Sequence, residues 1–246
     1  EFAAERFVVF ASRRGLVNNS ALANYSRARS AGIIALDIVD GDALVAVALT
    51  GGSDHVLLFT DDGKVLRFDE RDVRPMGRDA RGVRGMRLGD KQGLIGMVVG
   101  QAEGDILTVT ANGYGKRTPL PDYPVRGRGG MGVISIQTSA RNGPVVGAVQ
   151  VIESEQVMLV TNAGTAIRTT VASISLLGRN TQGVKLMGVG EGELLAGLAV
   201  VAPEDEESEG EPIDGDVETD TDPTVADPGD ADPSDDTQPG DGSPDA

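Results

Sequence analysis

Three observations predict an all-β fold, a propeller-like disc of repeated four-stranded antiparallel blades. First, a plan of short apolar runs parted by glycine-bearing turns recurs at residues 7–52, 55–104, 105–154 and 155–202. Second, the glycine opening the third run of each repeat stands at 32, 82, 132 and 183, a period of about 50 that marks a repeat architecture. Third, no stretch sustains helical periodicity, and residues 20–30 hold one turn of helix at most.

Each repeat opens with a strand rich in Val, Leu, Ile and Phe: F-V-V-F-A-S, H-V-L-L-F-T, D-I-L-T-V-T and Q-V-M-L-V-T. A tight turn follows, Arg13-Arg14-Gly15, Asp61-Asp62-Gly63, Ala111-Asn112-Gly113 or Asn162-Ala163-Gly164. Glycine there supplies positive φ, and this is a hairpin signal met four times. The second strand carries polar and basic side chains: Asn18 and Asn19, Lys64 and Arg67, Lys116 and Arg117, then Arg168. A connection of about a dozen residues leads to two more strands, joined near Gly41, Gly93, Gly143 and Gly192. Four strands in each repeat of this length imply blades set radially. Eight aromatic residues and no Trp argue against a WD40 type. Each blade would bury its apolar face on a neighbour, so none should be stable alone.

The net charge of −16 over 246 residues averages two different regions. Residues 203–246 hold eighteen acids, seven prolines and no base, which leaves twenty acids against all twenty-two Lys and Arg in residues 1–202. Such a tail cannot bury enough apolar surface to offset its ordering entropy, and disorder is expected. Without cysteine there is neither a disulfide framework nor thiolate chemistry, as suits a reducing cytoplasm. No apolar run approaches the roughly 20 residues of a membrane span, and no signal peptide is visible. The chain opens Glu1-Phe2 and reads as a piece of a longer protein.

Enzymatic constellations are scarce. His55 is the only histidine and opens a strand, where an edge role outweighs catalysis. G-Y-G-K-R-T at 113–118 fails as a phosphate loop, because Thr110 stands where the first glycine belongs and Arg117 where Ser or Thr would bind. Asp40-Gly41-Asp42 and Asp61-Asp62-Gly63 are turns without the ligand spacing of a calcium loop. Tyr25, Tyr114 and Tyr123 read as packing or stacking residues.

The basic residues recur. Arg27 and Arg29 precede Gly32, Arg78 and Arg81 precede Gly82, Arg126 and Arg128 precede Gly132, and Arg179 precedes Gly183. A solvated charged surface is the plain reading. Periodicity favours another: equivalent positions on a radial fold form a belt around one rim. A curved basic belt with few base-reading side chains suits bent duplex DNA gripped through its phosphates.

From about Phe7 to Val201 the chain resembles the C-terminal domain of the A subunit of bacterial DNA gyrase. The stretches that carry the resemblance are L-D-I-V-D-G-D at 36–42, G-V-R-G-M-R-L-G at 82–89, N-G-Y-G-K-R-T at 112–118, R-N-G-P-V-V-G-A-V-Q-V at 141–151 and G-R-N-T-Q-G-V at 178–184. The resemblance implies a β-pinwheel of six blades, of which this chain holds the last four, followed by an acidic tail. It implies a non-catalytic DNA-wrapping module, with the DNA-cleaving tyrosine, ATP and Mg2+ in other parts of the holoenzyme. The A-subunit dimer and the gyrase B subunit would be reached through the missing N-terminal part, with no membrane partner. The family's hallmark heptad, close to Q-R-R-G-G-K-G, belongs to an absent first blade; R-G-R-G-G-M-G at 126–132 is a degenerate relative, with Met131 replacing a base. The expected phosphate contacts are Arg67, Arg78, Arg81, Lys116, Arg117, Arg126, Arg128, Arg168 and Arg179, with a weaker grip at Asn18 and Asn19. Alternatives are the equivalent domain of topoisomerase IV or a protein-binding propeller. The tail is expected either to compete with DNA for the rim or merely to solubilise.

Overall fold

A computed structural model describes residues 5–27, 30–101 and 103–201. The acidic segment expected to be disordered, and Arg29, lie outside the described residues. The first repeat supplies β1 (Phe7–Ser12), β2 (Leu16–Ala21) and β3 (Leu44–Thr50). The second supplies β4 (His55–Thr60), β5 (Lys64–Asp69), β6 (Val83–Arg84) and β7 (Leu94–Gly100). The third gives β8 (Asp105–Thr110), β9 (Tyr114–Pro119), β10 (Val133–Ile134) and β11 (Val145–Val151). The fourth gives β12 (Gln156–Thr161), β13 (Ala166–Thr170), β14 (Val184–Lys185) and β15 (Leu195–Val201).

These strands form four antiparallel sheets, ordered β3-β1-β2-β6, β7-β4-β5-β10, β11-β8-β9-β14 and β15-β12-β13. The third run of the second, third and fourth repeats therefore leaves its own blade. It is lent to the blade before: Val83 pairs with Val17, Val133 with Val65 and Val184 with Gly115. The handover continues past the strand, where the N–H groups of Gly85, Ser135 and Leu186 donate to the carbonyls of the turn glycines Gly15, Gly63 and Gly113, each at 2.8 Å. The fourth sheet has three strands, because no described repeat follows to complete it. In the first repeat, residues 32–39 pair with no described strand, and Ile34 is 73% exposed.

The 50-residue spacing of glycines has a steric cause at this handover. Gly82, Gly132 and Gly183 have φ of +84°, +75° and +76°, and a Cβ at each would lie 2.4, 2.5 and 2.7 Å from the carbonyl oxygens of Val17, Val65 and Gly115. Only glycine combines that backbone turn with that approach. Gly32 has φ of +80° with nothing within 4 Å, as befits a run that pairs with no described strand.

The core lies between blades. One cluster joins Val9, Ala11 and Val17 to Val56, Leu58 and Phe68, a second joins Leu57 and Phe59 to Ile106 and Tyr123, and a third joins Leu107 and Val109 to Val157 and Leu159. The opening strands β4 and β8 sit centrally in their sheets and are buried on both faces, so their apolar runs do not alternate. Between blades, β3 packs on β7, β7 on β11 and β11 on β15. The lent strands occupy the opposite, outer edge of the first three sheets.

Gly132→Ala adds both left-handed strain and a backbone clash, whereas Gly32→Ala adds strain alone. Denaturant unfolding should show a loss of about 1 kcal/mol for Gly32→Ala and a further loss of at least about 2 kcal/mol for Gly132→Ala. Equal losses would mean that the lent strand does not need this glycine.

Candidate nucleic-acid interface

The second strand of each hairpin runs beside the lent strand, and its polar residues fall three and four positions after the turn glycine. Those at the fourth position stitch one blade to the next repeat. Asn19 Nδ2 donates to the carbonyl of Val73 at 3.3 Å. Arg67 donates to those of Leu120 and Tyr123 at 3.0 and 3.2 Å, and to His55 Nδ1 at 2.8 Å. Arg117 Nε donates to the carbonyl of Ile174 at 2.9 Å, while its NH1 meets Asp105 at 3.2 Å. Val73, Tyr123 and Ile174 each close a one-turn 3-10 helix, over Glu70–Asp72, Leu120–Asp122 and Val171–Ser173. Three repeats thus use one carbonyl at the same place.

The third position makes a second stitch. Asn18 Nδ2 donates to the carbonyl of Ala80 at 2.8 Å. Lys116, with 0% of its surface exposed, donates through Nζ to the carbonyls of Gly178 and Arg179 at 2.5 and 2.7 Å. Burial, with the Arg179 charge nearby, pushes the Lys116 amine down to about 8. Leu66 fills the same place in the second repeat by packing alone.

Lys116 and Arg117 are therefore buried, and Arg67 is half-buried with its charge desolvated. In this conformation none of the three presents its charge to a phosphate on the outer edge. Their basic character meets a different demand: long donors that reach backbone carbonyls of the next repeat. Asn18 and Asn19, expected as a weaker phosphate grip, make the same stitches with shorter arms, each 3% exposed. The arginine contact also accounts for His55. Arg67 can only donate, so His55 Nδ1 accepts, and the histidine is part of the seam.

The pre-glycine arginines lie further out. Arg78, Arg128 and Arg179 stand four residues before Gly82, Gly132 and Gly183, and their NH1 atoms donate to the carbonyls of Ile34, Arg84 and Ile134 at 2.6, 3.1 and 2.9 Å. Each acceptor stands two residues after the corresponding glycine of the repeat before. This is a ladder running from connection to connection, and part of each guanidinium remains toward solvent. Arg128 adds a bond from Nε to the carbonyl of Asp72 at 2.7 Å. Arg81 pairs with Asp37 at 2.8 Å with both side chains well exposed, a contact worth at most about 1 kcal/mol. Arg126 and Arg168 are exposed, on the connection and on β13 respectively.

Sequence reasoning passed over four exposed cations in the same zone: Arg74, Arg84, Arg87 and Lys185. Arg84 and Lys185 end the lent strands β6 and β14, two residues after the period glycine, a register that could have singled them out. Arg141 lies over the Tyr114 ring at 4.9 Å, a cation–π contact near a turn. Among the described residues no group of three or more His, Asp or Glu is placed to hold a metal ion, and no helix is long and apolar enough to cross a membrane.

Blades joined by lent strands, with arginines repeated along the outer edge, define a propeller-class repeat protein whose accessible chemistry is charge and hydrogen bonding. The chain belongs to the family described as DNA gyrase C-terminal domain, beta-propeller, which matches it four times, over residues 6–50, 54–100, 104–152 and 155–202. It is 51% identical over 210 residues to the A subunit of DNA gyrase from Salmonella typhimurium, covering 85% of this chain and 24% of that one. The A subunit of DNA gyrase from Staphylococcus aureus is 43% identical over 210 residues, covering 84% and 24%. The chain spans about a quarter of the length of these relatives. A solved DNA gyrase A C-terminal domain superposes with a TM-score of 0.75 at 23% identity, covering 82% of this chain and 68% of that one. The C-terminal domain of DNA topoisomerase IV gives 0.77 at 24% identity, covering 82% and 63%. At these identities the superpositions establish the fold alone.

The buried amine makes stability depend on pH. The folded protein releases the Lys116 proton near pH 8, against 10.5 for an ordinary lysine, so the folded state gains on the unfolded one as pH rises through that window. Thermal melts at about pH 7.5 and about pH 10, on either side of most of that window, should show a rise for the native chain relative to Lys116→Met. Parallel profiles for the two proteins would contradict the desolvated amine.

Proposed function

We propose that this chain is the DNA-wrapping module of a DNA gyrase A subunit, bending duplex DNA around the outer edge of its blades. The observation that carries the reading is the recurrence of solvent-reaching cations on the lent strands and the connections beside them: Arg74, Arg84 and Arg87, then Arg126 and Arg128, then half-exposed Arg179 with Lys185. Cations recurring from repeat to repeat would neutralise phosphates along a bent duplex without reading bases. Many weak contacts of this kind yield an affinity that rises with the length of DNA wrapped.

Of the nine residues expected from the sequence, Arg78, Arg81, Arg126, Arg128, Arg168 and Arg179 remain proposed phosphate contacts, with Arg74, Arg84, Arg87 and Lys185 added. Lys116, Arg117 and Arg67 are assigned to the seams instead. In the complete enzyme the wrapped segment would be fed to the strand-passing core, in support of ATP-dependent negative supercoiling in the bacterial cytoplasm. The cleaving tyrosine, ATP and Mg2+ would lie in parts of the holoenzyme beyond this segment. Partner subunits would be reached through those same parts. The gyrase A relatives at about 50% identity favour gyrase over topoisomerase IV.

The test is binding of the chain to a long and a short duplex across a salt series, with DNA bending read by end-to-end energy transfer. A steep salt slope, preference for the longer duplex and a bent product are expected. Absent or shallow binding would favour a protein-binding disc. Arg126→Ala should weaken binding alike on unrelated sequences and lower the salt slope by about 0.9. A sequence-selective loss would remove Arg126 from the phosphate contacts.

A further inference from the structure

Lys116 is the most deeply buried cation of the described residues, yet none of the carboxylates among them lies within ion-pair distance of its amine. Burying an ammonium is costly unless its donors are satisfied. Leu66 shows that the same place in the fold is filled by an aliphatic side chain that is 2% exposed. Packing does not explain the lysine. What the lysine adds is two charge-assisted bonds, to the carbonyls of Gly178 and Arg179. Those carbonyls belong to the connection of the following repeat. With both turned inward onto Nζ, the peptide bearing Arg179 is fixed. The Arg179 side chain runs back to the carbonyl of Ile134 at 2.9 Å on lent strand β10. One side chain thus ties β9 to the connection after it, and through Arg179 to the outer strand of the blade before.

The other repeats support the comparison. In the first, Asn18 makes a shorter stitch to Ala80, beside Arg81. In the second, Leu66 makes none, and there Arg128 carries its own additional bond to the carbonyl of Asp72 at 2.7 Å. Arg179 has no such second bond to a carbonyl of the described residues; Lys116 supplies the restraint from beneath.

We propose that Lys116 is a positioning residue for the wrapping edge, holding the 178–179 peptide so that Arg179 is set in place for a DNA phosphate before DNA arrives. The proposal rests on the DNA-wrapping reading above. Lys116 itself touches no phosphate; it lowers the ordering cost that Arg179 would otherwise meet on binding.

The experiment is a double-mutant cycle on the whole chain: native, Lys116→Met, Arg179→Ala and the double variant, each titrated onto a long duplex across a salt series, with thermal melts alongside. Lys116→Met is expected to weaken binding about fivefold and to lower the salt slope by about 0.9, as Arg179→Ala does, and the double variant to be no weaker than the worse single one. Lys116→Asn, which keeps a donor as the first repeat does, should recover part of the loss. If Lys116→Met melts below the assay temperature, Lys116→Asn takes its place in the cycle. Additive losses, or a fall in melting temperature with binding and slope unchanged, would overturn the positioning role. Failure of the native chain to bind duplex DNA would instead overturn the wrapping reading itself.

Discussion

Everything in this molecule depends on a two-residue strand given away. Three of the four sheets are completed by Val83–Arg84, Val133–Ile134 or Val184–Lys185 from the following repeat, and the handover is possible because a glycine with positive φ stands directly before it. A blade that needs its neighbour's strand cannot finish its own hydrogen bonding. Its core is equally shared, since each apolar cluster is drawn from two consecutive blades. Covalent order and cohesion therefore run in the same direction, from each repeat to the next.

The seams explain why cations sit in strands at all. A side chain leaving the second strand must span the gap to the next repeat's 3-10 turn and satisfy a carbonyl there. Asn19, Arg67 and Arg117 each make that bond, at 3.3, 3.2 and 2.9 Å. Lys116 and Arg117 thus spend their donors on these bonds, as Arg67 does through NH1 and NH2 while its Nε is buried without a partner. A second layer of arginines, Arg78, Arg128 and Arg179, repeats the arrangement one shell further out, where part of each guanidinium stays open. The passage from buried to accessible cation follows position relative to the seam. Residue type does not set it.

This organisation also bears on curvature. The angle between adjacent blades is fixed by contacts on three levels: inner strands packed on one another, stitches at mid-radius and the arginine ladder outside. A duplex lying along the edge would meet cations whose spacing is held by the same bonds that hold the blades. The geometry of a wrap and the stability of the disc then share one set of groups.

The sequence by itself determined the all-β class, the four repeats, the hairpin turns and the place of the period glycines. Each of these is a local rule, visible as a spacing or as a residue that alone can adopt a backbone angle. It also located the cations at recurring positions, and the resemblance it carried led to the family. Only the tertiary structure decided which blade receives each third run, because two-residue strands of Val with Arg, Ile or Lys carry no mark of their acceptor. For the same reason Arg117 and Arg126 read alike in the sequence, as arginines on or beside a strand. The first is 6% exposed between two blades and the second stands in solvent. Exposure is a property of the neighbour that folds over a residue, and that neighbour comes from a repeat about 50 positions away.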